Sequence, residues 1–325
     1  MPHRTGILPG SPGGAIGLCF AHRGSAAPPP ASAGDGDAAH FATVSWVTDP
    51  GHHGTSGPAW AGQPGYRLAG VGREAAESDR LGLLERIFDP LSRKRRGMVR
   101  PGWRCLEVGA GRGSMALWLA EQVGPAGRVV ATDIDVAYLR RLAAPNLEVV
   151  QHDIVADPAG VLGAGSFDLV CSRLMLFHLT GRQEAAVRQM ARCLRPGGWL
   201  IDEDADWGTT VLVDPSHPRY SGFHAAWRDG DWWASRGYDP AFGRTLPVLF
   251  ERCGLVDIGA DAHTGLVRGG SDWARWYRDS LDVIHQAGAV THAQQREHER
   301  IVAALGDPSA WFMRELLHCC RGGRG

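Results

Sequence analysis

Apolar and polar positions form alternating blocks through the middle of the chain, and these blocks predict strands and helices in turn. The run from Trp103 to Val108 is short and apolar, as in a buried strand, and Ser114 to Ala120 follows it with helical periodicity. Further apolar runs of strand length lie at 127–133, 147–151, 167–171 and 199–203. Strands that alternate with helices predict a doubly wound α/β fold with a mostly parallel sheet.

The amino-terminal part of the chain differs sharply from this pattern. Residues 1–65 are rich in glycine and proline and show no sustained hydrophobic period. Such a composition predicts a disordered, low-complexity tail, although translation from a misassigned start codon would look the same. We therefore expect the folded domain to span residues 66–325, beginning with a helix whose apolar positions are Leu81, Leu83, Leu84, Ile87 and Phe88.

The pattern changes again after the fifth predicted strand. Residues 206–245 form a long insertion rich in aromatic side chains, which we interpret as a helical cap. A helix from Leu246 should end at Gly254, a residue type that favours helix C-termini. Val256–Ala260 and Thr264–Val267 are predicted to form a terminal antiparallel strand pair, and residues 271–318 to form C-terminal helices.

Two shorter segments carry local helix signals. Val136 to Leu142 has apolar residues at helical spacing. Thr180 and Gln183 have the spacing of a capping box, which predicts a helix that opens there and continues through Leu194.

Composition excludes several classes of protein. Hydrophobic residues make up 44% and charged residues 21% of the 325 positions, and the formal charge is −1, so no global attraction to nucleic acid or to an anionic membrane is expected. No apolar run approaches the length of a membrane helix. The seven cysteines form no C-x-x-C pair, and the histidines and cysteines show no spacing typical of a metal site. We expect a cytoplasmic protein without a metal.

The first predicted strand ends in a glycine-rich loop. Its sequence is acidic-x-Gly-x-Gly-x-Gly, with Glu107 at the strand end, followed by Gly109, Gly111 and Gly113. A strand, a glycine loop and a helix form a nucleotide site in open α/β sheets. The dinucleotide fingerprint would need a sixth-position glycine where Ser114 stands. A carboxylate at the strand end instead suits a ligand that carries an amine.

Acidic residues also follow the next two strands. Asp133 ends the second strand, where a carboxylate can accept hydrogen bonds from both hydroxyls of a ribose. Asp153 follows the third strand and could accept one from an adenine amino group. Each acid alone could simply cap a turn or a helix. Three acids at the ends of three successive strands together favour a nucleoside-containing ligand.

These segments resemble the ordered motifs of the class I S-adenosylmethionine-dependent methyltransferases. The resemblance covers Leu106–Gly113, Val129–Asp135, Gln151–Ile154, Phe167–Leu179 and Leu194–Ile201 and extends less specifically through most of 66–268. It implies a seven-stranded sheet and S-adenosyl-L-methionine as cofactor. Glu107 stands where aspartate is frequent in that family, and Arg112 is bulky between two glycines.

The same resemblance implies roles for particular residues. Gly109, Gly111 and Gly113 would shape the loop under the methionine part, with Glu107 beside it. Asp133 would hold the ribose, Ile134 would pack on the adenine, and Asp153 with Ile154 would fix the adenine edge. Ser172 and Arg173 would border the methionine part and the transferred methyl group.

The methyl acceptor is less well defined by the sequence. His178, Glu203, Asp204 and Asp206 follow strands four and five on the carboxyl edge of the sheet, and we select His178 and Asp204 as candidate catalytic residues. The aromatic insertion could enclose an apolar or planar substrate, or could be the core of a helical cap. A small-molecule acceptor is the leading hypothesis. Methylation of nucleic acid or protein, or cofactor binding without methyl transfer, are the alternatives.

Overall fold

The computed structural model describes residues 74–157, 159–229, 232–286 and 290–325. The predicted tail, residues 1–65, lies outside these ranges. None of the helices within them is long and apolar enough to cross a membrane.

A seven-stranded sheet forms the centre of the described structure. Its strands are β1 (Arg104–Val108), β2 (Arg128–Asp133), β3 (Leu147–Gln151), β4 (Phe167–Arg173), β5 (Leu194–Asp206), β7 (Val256–His263) and β10 (Leu316–Gly323), and their order is β3-β2-β1-β4-β5-β10-β7. Strands β1 to β5 pair in parallel, whereas β10 is antiparallel to both β5 and β7. The predicted α/β, mostly parallel sheet is confirmed.

Helices cover both faces of this sheet. They are α1 (Glu74–Arg95), α2 (Ser114–Val123), α3 (Gln183–Cys193), α4 (Tyr220–His224), α5 (Leu246–Arg252), α6 (Asp272–Gln286) and α7 (His292–Leu305). Successive residues of a strand point to opposite faces. In β1, Leu106 and Val108 belong to one hydrophobic core, whereas Cys105 belongs to the other, with the buried face of α2. The predicted doubly wound arrangement is therefore present.

The predicted terminal strand pair is wrong. β7 pairs with β10 rather than with the segment that follows it, and that segment forms β8 (Leu266–Arg268) in a second, three-stranded sheet with β6 (Val211–Leu212) and β9 (Trp311–Met313). The burial of β7 and β10 explains why β10, and not β7, lies next to β5. Most of β7 is exposed, as suits an edge, whereas β10 buries most of its side chains and fits between two strands. Residues 271–318 are thus only partly helical, since α7 ends at Leu305.

Two local helix predictions also need correction. Within Val136 to Leu142 the structure has only a short 3-10 turn, Leu139–Arg141. Thr180 does not cap α3, which begins at Gln183 after Arg182 without a side-chain cap. Gly181 adopts a φ of 77° and separates Thr180 from the helix. The predicted end of α5 is correct, because Gly254 follows it with a φ of 81°.

The insertion at 206–245 consists of short helical segments and β6 rather than long helices. Its large aromatic side chains are buried; they include Trp207, Phe223, Trp227, Trp232 and Trp233. These side chains share a hydrophobic core with Trp273, Trp276 and Tyr277 of α6. The insertion is therefore anchored to the C-terminal helices.

Candidate functional site

A cavity of about 640 Å³ lies over the carboxyl ends of the central strands. One end of it, which we call the cofactor end, is lined by Glu107, by the glycine loop and by residues 133–141 after β2. The other end, which we call the acceptor end, is lined by residues of β4, β5 and the insertion and is covered by α1 and α6. Ligand sites in open α/β sheets lie at this edge.

The glycine loop owes its path to two close approaches. Gly109 has a φ of 72°, and a Cβ there would lie 2.6 Å from Cγ of Met175. Gly113 has a φ of 83°, and a Cβ there would lie 2.3 Å from Leu142. Gly109 and Gly111 line the cavity. Gly113 is not among the lining residues, and its contacts explain it as the place where the loop packs before α2.

Glu107 is the most unusual carboxylate of the cofactor end. Its side chain is buried at the end of β1, and Oε2 has no hydrogen-bond partner among the described residues. Burial raises the pKa of Glu107 to about 7, against the opposing charges of Arg96 and Arg173. A buried acceptor without a partner costs free energy unless a ligand satisfies it. A ligand ammonium group would do so.

Asp133 lies beside the loop at the end of β2. Its carboxylate accepts hydrogen bonds from the backbone N–H of Gly111, at 2.9 Å, and of Asp135, at 3.1 Å. Burial raises its pKa despite these bonds. Asp133 and Ile134 both line the cavity, so the structure brings them together with Glu107.

Three other predicted cofactor residues point elsewhere. The Asp153 carboxylate accepts hydrogen bonds from the backbone N–H of Val155 and Ala156, as the cap of a turn. Ile154 is buried in a hydrophobic core. Ser172 is buried and donates its hydroxyl hydrogen bond to Asp202. None of the three lines the cavity, and a contact of Asp153 or Ile154 with adenine stays a prediction.

His178 lies at the acceptor end, in a 3-10 turn after β4. Burial, together with the charge of Arg80, lowers the pKa of His178 to about 4. The imidazole is therefore neutral near neutral pH. Its Nδ1 has no hydrogen-bond partner among the described residues.

Asp204 supports the turn that carries His178. Its carboxylate accepts hydrogen bonds from the backbone N–H of Phe177, at 2.9 Å, and of Ala205, at 3.0 Å. Burial raises the pKa of Asp204 to about 7, although these bonds oppose the shift. Asp204 lines the cavity, so both selected catalytic candidates face it.

The other two acids at the end of β5 are paired with arginines and do not line the cavity. Glu203 is paired with Arg95 and Arg96. Burial alone would raise the pKa of Glu203, but the charges of Arg96 and Arg173 and the hydrogen bonds from Arg96 and Arg95 together outweigh it, and the pKa falls to about 2. Asp206 is paired with Arg244. These ion pairs explain why the structure leaves only His178 and Asp204 of the four candidates at the cavity.

An aromatic wall surrounds the acceptor end. It consists of Phe177, Trp207, Trp233, Trp276 and Tyr277. Ring centroids of Trp207 lie 5.9 Å from Phe177 and 5.3 Å from Tyr277, so the rings pack on one another as well as on the cavity. Trp207 and Trp233 of the insertion thus belong to the core and also line the cavity, while their contact with a substrate stays a prediction.

Sequence reasoning missed the contribution of α1. Glu77, Arg80, Leu81, Leu84 and Glu85 line the cavity from this helix. Arg80 forms two hydrogen bonds to Glu77, at 2.7 and 2.8 Å, and a third to Ser280 of α6. The sequence does show this pair, since Glu77 and Arg80 are three residues apart and lie next to apolar positions. Exposed helix pairs of this kind are so common that it had no discriminating power.

Arg173 also lines the cavity and is held from α1. It donates hydrogen bonds to Asp89 at 2.9 Å and to Ser92 at 3.0 Å. The resemblance placed Arg173 at this border, but its partners on α1 could not be read from the sequence. No cluster of three or more side chains able to hold a metal occurs in the described ranges.

Comparison with known proteins shows what part of this chain is similar to. Residues 106–202 match a family described as a methyltransferase domain. Over 131 residues the chain is 34% identical to the ubiquinone/menaquinone biosynthesis C-methyltransferase UbiE of Pseudomonas putida, which covers 38% of this chain and 50% of the relative. Over 120 residues it is 38% identical to nocamycin O-methyltransferase of Saccharothrix syringae, covering 34% and 42%. The chain spans about half the length of the curated relatives it matches.

Solved structures were matched at lower identity. A cyclopropane-fatty-acyl-phospholipid synthase-like protein from Lactobacillus casei has a TM-score of 0.49 at 15% identity, over 79% of this chain and 98% of the other. Phosphoethanolamine N-methyltransferase 2 of Haemonchus contortus, solved with S-adenosyl-L-methionine, has a TM-score of 0.41 at 15% identity, over 76% and 52%.

Proposed function

Because this chain belongs to the class I S-adenosylmethionine-dependent methyltransferase superfamily, we propose that it methylates a small apolar or aromatic molecule. The cofactor is S-adenosyl-L-methionine. The unpartnered, buried Oε2 of Glu107, at the end of β1 beside the glycine loop, is the single observation that carries the proposal. It would accept a hydrogen bond from the ammonium group of that cofactor.

The residues of the cofactor end, together with Arg173 at the end of β4, fit the groups of this cofactor. Glu107 would accept hydrogen bonds from the ammonium group, and Arg173 would lie beside the methionine carboxylate. Asp133 would accept hydrogen bonds from the ribose hydroxyls, and Ile134 would pack against the adenine. These roles agree with the positions of the four side chains around one cavity.

When bound, the cofactor would supply a sulfonium methyl group that an electron pair of the acceptor can take, with the electron pair of the broken carbon–sulfur bond left on sulfur. The protein must then align the acceptor and exclude water. The aromatic wall would do both for a planar molecule. Neutral His178 would orient the reacting group by a hydrogen bond, and Asp204 would act as a positioning residue that fixes the turn carrying His178.

Names of the relatives support a small acceptor. One relative is a C-methyltransferase of ubiquinone and menaquinone biosynthesis, and another is an O-methyltransferase. The six cysteines in the described ranges are unpaired thiols, which supports the expected location in the cytoplasm.

Transfer of an isotopically labelled methyl group tests this proposal. The whole chain is incubated with labelled cofactor and with separate small-molecule, RNA and protein fractions from its source organism. We expect label in the small-molecule fraction, and a strongly reduced yield with Glu107→Gln. Label confined to RNA or protein would replace the proposal with the second enzyme hypothesis. Cofactor binding without label in any fraction would indicate a domain that does not transfer methyl.

A further inference from the structure

A buried ion pair lies within the largely aromatic surroundings of the acceptor end. Arg80 and Glu77 are both more than 90% buried, and both line the cavity. A buried ion pair contributes little net stability, because the desolvation of both charges offsets their attraction. Its position at the cavity therefore calls for a reason other than the stability of α1.

Arg80 retains hydrogen-bonding capacity. Its guanidinium group has five N–H donors. Three are used, by both oxygens of Glu77 and by the Ser280 hydroxyl. One N–H on each terminal nitrogen is left without a partner among the described residues.

The carboxylates of Glu77 and Asp204 at the same end are already engaged. Each carboxylate oxygen of Glu77 accepts a hydrogen bond from Arg80, and each oxygen of Asp204 accepts one from a backbone N–H. The neighbouring His178 is a neutral ring without a hydrogen-bond partner for Nδ1. The acceptor end thus offers unused donors. The cofactor end, by contrast, offers the unused acceptor of Glu107.

We propose that Arg80, with His178, binds a negatively charged oxygen of the methyl acceptor, and that the acceptor is a planar acidic phenol or enol bound as its anion. This inference rests on the proposed function. The aromatic wall would hold the ring, and the two spare N–H groups of Arg80 would point toward the oxygen. When the anionic oxygen itself takes the methyl group, its lone pair forms the new bond, the product is neutral, and no proton is released. His178 then need not act as a base, which agrees with its position beside the positive charge of Arg80.

Binding of two matched probes to the whole chain tests the inference. The probes are para-nitrophenol, which is coloured as its phenolate, and para-nitroanisole, its uncharged methyl ether. At a pH equal to the pKa of unbound para-nitrophenol, we expect the protein to increase the phenolate absorbance. We also expect it to bind the phenolate about tenfold tighter than the ether, as for a hydrogen bond to a charged group.

Variants of α1 identify the residue responsible. Arg80→Gln should reduce the preference for the phenolate over the ether to within about twofold, whereas Arg80→Lys should keep part of that preference. The double variant Glu77→Gln with Arg80→Gln gives the same result without a buried unpaired carboxylate, which keeps the test valid if the single variant does not fold. Arg86→Gln is the matched control, because Arg86 lies on the same helix but is exposed and outside the cavity lining. It should retain the full preference.

Several outcomes would overturn the inference: equal affinity of the wild type for both probes, no binding of the phenolate, or a preference that persists in the double variant. A parallel titration with S-adenosylhomocysteine separates this result from the proposed function. Binding of S-adenosylhomocysteine without a phenolate preference would reject only the role of Arg80. A phenolate preference without S-adenosylhomocysteine binding would reject only the cofactor assignment.

Discussion

The two ends of the cavity are built from different parts of the chain. The cofactor end uses residues from 107 to 141, which lie at the ends of two adjacent strands and in the loops after them. The acceptor end combines α1, the turn after β4, the insertion and α6, which are separated by up to about 200 residues. One end is a local property of the sequence, and the other arises only when distant segments pack together.

The two ends also differ in chemistry. At the cofactor end a buried carboxylate, Glu107, has an oxygen without a partner. At the acceptor end the carboxylates of Glu77 and Asp204 are occupied, and the unused groups there include a neutral imidazole and the guanidinium N–H donors of Arg80. Such a cavity suits a cationic amine at the cofactor end and an electron-rich methyl acceptor at the acceptor end.

Removal of a wall side chain should produce the largest loss of stability. Trp207 is buried and packs against Phe177, Trp233, Trp276 and Tyr277. We expect Trp207→Ala to lower the free energy of unfolding by about 3–5 kcal/mol in urea titrations, because it leaves a cavity in the core. Trp311→Ala, at an exposed tryptophan, should cost less than about 1 kcal/mol. Equal losses would show that the wall is not a packed core.

Opposite pH dependences should distinguish the two ends. The pKa of Glu107 is raised from 4.5 to about 7, so its ionisation in the folded state destabilises the protein as the pH rises through that range, by about 3 kcal/mol. Glu107→Gln removes this loss and should be more stable than the wild type above pH 7. Urea unfolding at several pH values measures the difference, and a less stable variant above pH 7 would contradict the burial of Glu107.

At His178 the pH dependence of stability has the opposite sign from that at Glu107. Its pKa is lowered from 6.5 in the unfolded state to about 4 in the folded state. As the pH falls from 6.5 toward 4, the unfolded state takes up a proton that the folded state does not, so the free energy of unfolding decreases. The loss should be about 2 kcal/mol, because the ring is only half-buried. His178→Gln should flatten this acid limb in the same titrations. An unchanged acid limb would indicate that His178 is solvated in the folded state.

Substitutions of two aspartates of the predicted cofactor site should differ in their effect on ligand affinity. Asp133 lines the cavity and supports the glycine loop, so Asp133→Ala should weaken binding of S-adenosylhomocysteine by about 1–3 kcal/mol. Asp153 caps a turn outside the lining, and Asp153→Ala should change that affinity by less than about 0.5 kcal/mol. Calorimetry measures both. Equal effects would restore Asp153 as an adenine ligand.

The smallest effect concerns the support of His178. Asp204→Asn keeps an oxygen for one of the two backbone N–H groups and loses the other bond. We expect about fivefold weaker binding of para-nitrophenol, equivalent to about 1 kcal/mol, with unchanged affinity for S-adenosylhomocysteine. Weakened binding of both ligands would show that the two ends do not act separately.

The comparison of the two ends also explains what the sequence could reveal. Strand periodicity and the glycine loop gave the parallel sheet, and the acids at strand ends gave Glu107 and Asp133, because each signal lies within one short segment. The position of β10 between β5 and β7 could not be inferred, since it depends on which of two late strands buries more surface. Ser172 follows the expected strand, but its hydroxyl faces Asp202. Which way a strand-end side chain turns depends on a neighbour 30 residues away.

Arg80 illustrates the same limit at the acceptor end. Its pairing with Glu77 is local, but its place at the cavity depends on the packing of α1 against α6. Likewise, Glu203 and Asp204 are adjacent in the sequence, yet Glu203 is neutralised by the last arginine of α1 and the one that follows it, whereas Asp204 lines the cavity. Residue type and spacing alone do not distinguish them.

Calorimetric titration of the whole chain with S-adenosylhomocysteine tests the central claim most directly. The wild type should bind it, and Glu107→Gln should weaken binding by about 2–3 kcal/mol, because the ligand ammonium group loses a charged hydrogen-bond partner. Glu148→Gln, on the exposed face of β3, should bind like the wild type. Absence of binding by the wild type, or equal affinity of wild type and Glu107→Gln, would contradict the assignment of this cavity to the cofactor.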